Sequence, residues 1–259
     1  MEAQRDIIQR ASRGLRPLAV RDLGLIDYDR CWDLQRALSR AVASGDVHET
    51  LLLLEHPHTF TCGRRGGRGN ILISGQEIER EGISVLDVDR GGDVTYHGPG
   101  QLVAYPIISL RNAAGSVDYP GYVRDLEDVL VDTLVGFNIP GEKLPGFSGV
   151  WVRDAGQHAK VAAIGVKVDA AGVTTHGIAL NVSTDLSYFA KIVPCGITDK
   201  GVTSMHHLLG SAPPLDAVKC SFAQNFAARF GFVEEWQQPD RPATVSIFDP
   251  AFDSGTPAG

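Results

Sequence analysis

The sequence predicts a single α+β domain, in which a mixed sheet packs with helices. Strand-like and helix-like segments alternate along its 259 residues. The turn Asp169-Ala170-Ala171-Gly172 lies between two strand candidates and is typical of an antiparallel hairpin. Neither an internal repeat nor a shift in composition marks a boundary between domains. Together these observations favour one domain that contains antiparallel strand pairs.

The first predicted element is a helix over residues 28–43. Apolar side chains recur there at helical spacing, as at Cys31, Leu34 and Leu38, and Gly45 ends the pattern. Three strands follow, because short apolar stretches either alternate with polar residues or run continuously. These strands cover residues 50–54, 84–89 and 102–108.

The second half of the chain opens with an amphipathic helix over residues 122–137, with Leu126, Leu130 and Leu134 on one face. Three further strands and two helices are predicted after it. The strands cover residues 149–153, 160–168 and 173–182, and the helices cover 186–192 and 215–230.

Composition narrows the class of protein. The chain is 43% hydrophobic and 21% charged, as in soluble globular proteins. A net charge of −7 argues against nucleic acid as a partner. No apolar run has membrane-spanning length, and the N-terminus lacks the apolar core of a secretory signal, so no membrane association is expected. The four cysteines lack CxxC spacing, which favours a reducing, cytoplasmic location over a disulfide framework. Cys31 and Cys220 lie on the apolar faces of predicted helices and are expected in the core.

A glycine-rich segment from Arg90 to Gln101 is the first candidate site. Gly91 and Gly92 follow a predicted strand and allow a ligand close to the backbone, because glycine has no Cβ. Arg90 could hold an anion and His97 offers a donor or a base. The alternative is a structural turn with a satisfied histidine, since glycine turns are common.

Three further residues carry possible chemistry. Cys195 lies between a proline and a glycine in a predicted loop, where a thiol can be exposed and activated, although most cysteines are buried apolar residues. Lys160 opens an apolar strand and could be desolvated, although lysines at strand ends are usually solvated. His176 precedes Gly177 and could face a ligand or be a core histidine.

A metal centre is not expected. Residues 55–58 and the pair His206-His207 contain possible ligands, but no HExxH or CxxC motif accompanies them. Neither a phosphate-binding GxxxxGK[ST] loop nor a dinucleotide-binding glycine pattern is present.

Taken together, these segments resemble the lipoyl(octanoyl) transferase family, in family order and over about residues 18–230. The matching blocks are Leu54-Glu55-His56-Pro57 with Thr61-Cys62-Gly63-Arg64-Arg65-Gly66, Arg90-Gly91-Gly92-Asp93-Val94-Thr95-Tyr96-His97-Gly98-Pro99-Gly100-Gln101, Lys160-Val161-Ala162-Ala163-Ile164-Gly165, His176-Gly177-Ile178-Ala179-Leu180-Asn181-Val182 and Pro194-Cys195-Gly196. The second block is the most specific. Residues 66–70 are richer in glycine than the family pattern.

The resemblance implies the fold of the biotin/lipoate protein ligase catalytic domain, a mixed sheet flanked by helices. It implies Cys195 as the nucleophile that carries the acyl thioester, and Lys160 as the residue that lowers the thiol pKa and acts as general acid and base. The acyl pocket would be lined by Arg90, Gly91, Gly92, Asp93, Val94, Thr95, Tyr96, His97, Ala163, Ile164, Gly165, Gly177, Ile178 and Ala179.

The implied reaction moves an octanoyl group from octanoyl-acyl-carrier protein to the acceptor lysine of a lipoyl domain, the first step of endogenous protein lipoylation. The acceptors would be the apo lipoyl domains of 2-oxoacid dehydrogenase complexes and the glycine cleavage H protein. No ATP and no metal cofactor would be needed, because the donor is already a thioester. We expect residues 1–17 to be a poorly ordered extension, residues 18–236 a single catalytic domain and residues 237–259 a loosely ordered tail.

Three other functions remain open at this point. An ATP-dependent lipoate or biotin ligase would share the fold, and Gly63-Arg64-Arg65-Gly66 resembles the nucleotide loop of such ligases. A non-catalytic module that binds acyl chains or carrier proteins would form no adduct on Cys195. A papain-like hydrolase would pair Cys195 with His97 or His176 and release free octanoate.

The donor carrier protein is expected to be acidic, as is this chain. A local basic surface must then overcome the net repulsion. Arg64, Arg65 and Arg68 are predicted to form that surface, although exposed charges usually contribute little.

Overall fold

The structure, a computed structural model, describes residues 15–111, 115–154, 156–193 and 201–237. Strands and helices alternate along it, and two short 3-10 helices cover Arg68–Asn70 and Leu186–Lys191. The strands are β1 (Arg16–Leu25), β2 (Thr50–Glu55), β3 (Thr59–Cys62), β4 (Ser84–Asp87), β5 (Val94–His97), β6 (Gln101–Ile107), β7 (Glu142–Leu144), β8 (Phe147–Asp154), β9 (Gln157–Val168), β10 (Thr174–Asn181), β11 (Gly201–Val202) and β12 (Phe232–Gln237). The α-helices are α1 (Tyr28–Ser44), α2 (Gly75–Arg80), α3 (Tyr119–Val135), α4 (Met205–Leu209) and α5 (Leu215–Phe230).

Within the described ranges, nine strands form one mixed sheet in the order β12-β1-β2-β6-β10-β9-β8-β7, with β11 beside β9. The pairs β12–β1 and β1–β2 are parallel, whereas the run from β2 to β7 is antiparallel. Three short strands form a second sheet in the order β4-β3-β5.

Both faces of the main sheet are covered. Leu51 and Leu53 of β2 face the core that α3 and α5 close, whereas Leu52 and Leu54 face the core on the side of α1. Successive side chains of a strand point to opposite faces, so a strand covered on both sides reads as a continuous apolar run. The small sheet has its own core, which includes Phe60 and Tyr96.

The predicted fold class is confirmed, and most predicted elements appear within a few residues of their expected ends. The hairpin turn is also present, since the amide of Asp169 donates to the carbonyl of Val173 and the amide of Gly172 donates to that of Asp169. Six of the described strands have no counterpart among the predicted elements. They are β1, β3, β5, β7, β11 and β12.

Two expectations about single segments need correction. Cys31 is buried on α1 as expected, but Cys220 is exposed on α5, so its place in an apolar stretch of sequence did not put it in the core. The N-terminal extension was expected to reach residue 17, whereas β1 begins at Arg16 and pairs there with Phe232 of β12. In the part of the chain that the structure describes, no helix is both long and apolar enough to span a membrane.

Candidate active site

A cleft of about 990 Å³, counted with its open mouth, lies where the main sheet meets the glycine-rich segment and β5. Strands β9 and β10 supply one wall, and residues 90–97 supply the other. Its lining comprises Tyr28, Arg65, Arg90, Gly92, Asp93, Val94, Thr95, His97, Gln101, Tyr105, Ser148, Trp151, Lys160, Ala163, Ile164, Gly165, His176, Gly177, Ile178, Ala179, Asn181, Phe189, Gly201 and Val202.

Small residues on the two sheet strands keep the cleft open. Gly165 of β9 and Gly177 of β10 are cross-strand partners, and Ala163 pairs with Ala179. A Cβ on Gly165 would lie 3.0 Å from Cδ of Arg90, and a Cβ on Gly177 would overlap the carbonyl oxygen of Ala104. Apolar side chains such as Val94 and Ile178 complete the walls, so the cleft suits an alkyl chain.

Arg90 is a buried cation whose hydrogen bonds go to neutral acceptors. Its Nη2 donates to the carbonyl oxygen of Thr61 at 2.6 Å and to Oγ1 of Thr61 at 2.8 Å, and its Nη1 donates to the carbonyl of Gly91 at 3.0 Å. These bonds tie the glycine-rich segment to β3. Three backbone bonds add to this attachment, because the amides of Gly63, Arg64 and Arg65 donate to carbonyls of residues 90–93.

A chain of hydrogen bonds crosses the back of the cleft from Arg90 to the residue after β11; we call it the polar chain. It runs through Arg90, Thr61, His97, Gln101, Asn181 and Thr203. The groups at its two ends determine which atom donates in each hydrogen bond, because the Arg90 guanidinium can only donate and the Thr203 carbonyl can only accept. The carbonyl of Thr203 can only accept from Nδ2 of Asn181, so Oδ1 of Asn181 accepts from Nε2 of Gln101.

The polar chain therefore assigns the tautomer of His97. Oε1 of Gln101 accepts from Nδ1 of His97 at 2.8 Å, which places the ring proton on Nδ1. From the other end, Oγ1 of Thr61 accepts from the Arg90 guanidinium, so its hydrogen points to Nε2 of His97 at 3.4 Å. Burial lowers the pKa of His97 well below its usual value, and the neighbouring His56 and the positive charge of Arg90 lower it further. His97 is therefore a neutral orienting group, and this geometry disfavours the role of base that a cysteine hydrolase would need.

His176 is bonded at both ring nitrogens. Its Nε2 lies 2.8 Å from Oδ1 of Asp89, and its Nδ1 lies 3.2 Å from the hydroxyl of Tyr28. Its backbone adopts φ +57°, a conformation that residues other than glycine rarely take. Its amide donates to Oε1 of Gln35 at 2.6 Å. The bond to His176 holds the pKa of Asp89 well below its usual range, and burial lowers the pKa of His176.

Lys160 lies at the end of the cleft where β8, β9 and β11 meet. It is half-buried, and its Nζ is 4.7 Å from the ring centroid of Trp151. Its carbonyl accepts from the amide of Thr203 at 3.0 Å. Cys195 itself lies outside the described residues. The residues on either side of its segment are anchored separately: the amide of Val193 donates to the carbonyl of Asn70 at 2.8 Å, and Gly201 pairs with Ala159 of β9.

Residues 27–227 match the family model of the lipoyl protein ligase A/B catalytic domain. The chain is 50% identical to the octanoyltransferase of Chloroflexus aggregans over 83% of this chain and 96% of that protein. It is 48% identical to the octanoyltransferase of Solibacter usitatus over 84% of this chain and 95% of that protein.

The chain belongs to the octanoyltransferase family. It is an acyltransferase with the lipoyl protein ligase A/B catalytic domain. Two solved structures show the same fold at low sequence identity. A bipartite lipoate protein ligase from Thermoplasma acidophilum superimposes with a TM-score of 0.62 at 15% identity, covering 86% of this chain and 87% of that one. Lipoate-protein ligase A bound with ATP gives a TM-score of 0.63 at 14% identity, covering 86% of this chain and 90% of that one.

In this member of the octanoyltransferase family, most of the residues expected at the acyl pocket lie around one cleft. Two of them do not line it. Gly91 donates its amide to the carbonyl of Val166, behind the cleft wall. Tyr96 is buried in the core of the small sheet and stacks on Tyr188 at 4.7 Å between ring centroids.

Several residues that sequence reasoning did not single out also line the cleft. Tyr28, Tyr105, Gln101 and Asn181 supply polar groups, and Trp151 lies beneath Lys160. Gln101 and Asn181 carried a usable signal, because both lie in blocks that carry the family resemblance. Among the described residues, no three His, Cys, Asp or Glu side chains are grouped so that they could hold a metal ion.

Proposed function

We propose that this enzyme transfers an octanoyl group from the phosphopantetheine thioester of acyl-carrier protein to the acceptor lysine of a lipoyl domain, through a thioester on Cys195. The observation that carries the proposal is the cleft itself. Small residues leave room for an alkyl chain, and Lys160 stands at the end where β11 leads out of the segment that contains Cys195.

The first half-reaction begins with Cys195 as thiolate beside the Lys160 ammonium, whose charge favours that form. The sulfur attacks the donor carbonyl, and the bond between that carbonyl and the pantetheine sulfur breaks. The departing thiolate takes a proton from Lys160. The products are octanoyl-Cys195, a free pantetheine thiol and neutral Lys160.

The second half-reaction restores the enzyme. Neutral Lys160 takes a proton from the acceptor ammonium, and the resulting amine attacks the octanoyl-Cys195 carbonyl. An amide forms, the Cys195 sulfur leaves as thiolate beside the Lys160 ammonium, and the second amine proton passes to solvent. Conversion of a thioester to an amide is downhill, so we propose that the reaction uses neither ATP nor a metal ion.

The acceptors that we propose are the apo lipoyl domains of 2-oxoacid dehydrogenase complexes and the glycine cleavage H protein, in the cytoplasm. Octanoyltransferase relatives support the lipoyl-domain class of acceptor.

Intact-mass spectrometry tests this proposal. The protein is mixed with octanoyl-acyl-carrier protein in the absence of acceptor, and we expect the mass of one octanoyl group to be added and to map to Cys195. Cys195→Ser should lose the adduct and the transfer, because a serine hydroxyl is a far poorer nucleophile than a thiolate. Cys220→Ser is the matched control, because Cys220 is an exposed thiol on α5, and it should leave both unchanged.

The alternatives predict other outcomes in the same experiment. A ligase would modify the acceptor from free octanoate plus ATP without any adduct. A binding module would show no covalent adduct with either donor. A hydrolase would release free octanoate in the absence of acceptor. Retention of more than a few per cent of transfer in Cys195→Ser would remove Cys195 from the mechanism.

A further inference from the structure

The strand pair β8–β9 contains an irregularity next to Lys160. Val150 pairs with Ala162, but the next residue, Trp151, pairs with Lys160, so Val161 of β9 has no partner on β8. This is a β-bulge with one extra residue on β9. In a regular antiparallel pair, Trp151 would instead be opposite Val161, and Lys160 would be opposite Val152. A shift of one residue moves a side chain to the other face of a sheet, and bulges near active sites re-aim side chains in this way.

The bulge brings the Lys160 ammonium over an indole face. Nζ of Lys160 is 4.7 Å from the Trp151 ring centroid, within the range of a cation–π interaction. Trp151 is only 1% exposed. A cation–π contact is stronger when it is shielded from water, so this one stabilises the charged form of the amine.

The ring of Trp151 is itself held in place. Gly149, two residues before Trp151, has φ +95°, a conformation that glycine adopts readily. Its amide donates to the buried Oε1 of Glu127 on α3 at 3.0 Å. A Cβ on Gly149 would overlap the carbonyl of Ala162, so the two strands approach unusually closely at the bulge. Phe147 meets the Trp151 ring edge-on at 5.8 Å between centroids. Helix α3 and β8 thus fix the surface on which Lys160 rests.

We propose that Trp151 is a positioning residue that holds Lys160 in its charged form for the first half-reaction. This inference rests on the proposed function of Cys195 and Lys160. Because the indole face favours only the ammonium, it promotes the Cys195 thiolate and hence its attack on the donor carbonyl, the step of acylation that precedes loss of the Lys160 proton. It opposes neutral Lys160, the form that takes the proton from the acceptor amine. Trp151 should therefore affect the two half-reactions in opposite directions.

Two substitutions separate this role from packing. Trp151→Leu removes the π face, whereas Trp151→Phe keeps an aromatic face with a weaker attraction for cations. Within the described residues the indole Nε1 has no hydrogen-bond partner, so Phe breaks no bond of Trp151. Trp236→Leu is the matched control, because Trp236 is an exposed tryptophan on β12, remote in sequence and outside the cleft lining.

The first readout is the pH at which Cys195 is half-alkylated by iodoacetamide, followed by mass spectrometry of the Cys195 peptide. We expect this midpoint to rise by about one pH unit in Trp151→Leu and by less in Trp151→Phe. The second readout is single-turnover kinetics. Acylation by octanoyl-carrier protein should slow about tenfold in Trp151→Leu, whereas transfer from pre-formed octanoyl-enzyme to a lipoyl domain should be unchanged or faster. Trp236→Leu should match the wild type in both.

Each other outcome overturns a specific claim. Suppose that Trp151→Leu and Trp151→Phe slow acylation equally and leave the pH midpoint of Cys195 alkylation unchanged. Trp151 then contributes only packing, and its positioning role is wrong. An equal slowing of both half-reactions leads to the same conclusion. If Trp151→Leu fails to fold by circular dichroism, Trp151→Phe alone decides, since an unmoved midpoint there contradicts the proposal. Absence of octanoyl-Cys195 in the wild type would instead overturn the proposed function, so the two failures are distinguishable.

Discussion

Lys160 and Arg90 are both cations of the cleft, but their surroundings differ. The Arg90 guanidinium is engaged by backbone and hydroxyl oxygens of Thr61 and by Gly91. Lys160 is half-buried, and its head group lies over an aromatic face at the end of the cleft. Arg90 is thus built into the wall, whereas Lys160 is the group to which we assign proton transfer in the proposed reaction.

Replacement of Lys160 tests that difference. Lys160→Arg should impair transfer nearly as much as Lys160→Ala, because a guanidinium keeps the charge but cannot give up its proton at neutral pH. The measurement is steady-state transfer to a lipoyl domain, together with mass analysis of the acyl-enzyme. If Arg restored formation of the amide, Lys160 would be only an electrostatic partner, and its role as a base would be wrong.

A buried histidine makes the stability of the fold depend on pH. His56 has no exposed surface, its Nδ1 donates to the carbonyl of Ile26 at 2.7 Å, and its Nε2 lies 2.9 Å from the hydroxyl of Tyr105. Burial lowers its pKa to about 4. The unfolded chain, with an ordinary histidine pKa, binds the proton more readily, so stability is full above about pH 6.5 and falls as the pH drops towards 4.

We expect His56 alone to account for about 2 kcal/mol of lost unfolding free energy between pH 7 and pH 5. Urea denaturation at the two pH values measures this loss. His56→Gln should lower stability at pH 7 but show a smaller difference between the two pH values. His48→Gln, at an exposed histidine, is the control and should keep the full difference. The same difference in His56→Gln as in the wild type would contradict the assignment.

At the residue scale, the sequence indicated the glycine-rich block, Lys160 and the small residues of β9 and β10. Those signals are local. The sequence could not indicate that Trp151 is opposite Lys160. That pairing depends on a β-bulge, and residues 157–168 show no pattern that predicts one. Nor could the sequence assign the His97 tautomer, which is set by the ring's partners Thr61 and Gln101, the latter oriented by Asn181.

At the element scale, Gly177 shows how closely the central strands are packed. It lies on β10 beside β6, where a Cβ would overlap the carbonyl of Ala104 and lie 2.8 Å from Cδ of Pro106. Gly177→Ala should therefore force the two strands apart and destabilise the fold by about 1–3 kcal/mol. Because β10 lines the cleft, its displacement should also reduce transfer.

The denaturation midpoint and transfer rate of Gly177→Ala should be compared with those of Gly67→Ala. Gly67 has an ordinary extended backbone with φ −146°, and a Cβ there would meet no heavy atom within 4 Å. The control should be nearly neutral, within about 0.5 kcal/mol. A neutral Gly177→Ala would mean that β6 and β10 can separate without cost.

The long helices were easier to predict than the short strands, and the short helices α2 and α4 were not predicted. The helix expected over residues 215–230 has the same bounds in the structure, and α1 differs by one residue, because long amphipathic periods are distinctive. By contrast, β3 and β5 contain four residues each and lie among glycines and prolines, which mask so short a pattern. Strands β1 and β12 pair with each other although they lie near opposite ends of the described sequence, and local periodicity cannot reveal such a pairing.

At the scale of the whole molecule, the net charge of −7 opposes approach of an acidic carrier protein. The structure reduces the basic surface expected from Arg64, Arg65 and Arg68 to the first two of these residues. Arg64 and Arg65 are exposed and Arg65 lines the cleft, but Arg68 forms an ion pair with Asp87 at 3.0 Å. Arg64 and Arg65 should therefore account for most of any attraction near the cleft.

Reversal of both charges, in Arg64→Glu with Arg65→Glu, should raise the KM for octanoyl-carrier protein and flatten its dependence on salt. Turnover of a small octanoyl thioester without the carrier should change little. Arg68→Glu is the matched control, and it should have the smaller effect on KM because Asp87 already offsets that charge. Equal losses with both donors would show that residues 63–66 support the cleft rather than dock the carrier.

The pairing of β1 with β12 has a consequence for how the protein is made on the ribosome. Arg16 is aligned with Phe232 and Arg21 with Gln237, in parallel register. The first strand to be synthesised therefore lacks one neighbour until nearly all of the described chain has left the exit tunnel. During that interval β1 presents unpaired backbone groups, which can associate with other nascent chains. Completion of the main sheet thus comes late in the synthesis of this domain and joins strands from its two ends, and such long-range contacts form slowly.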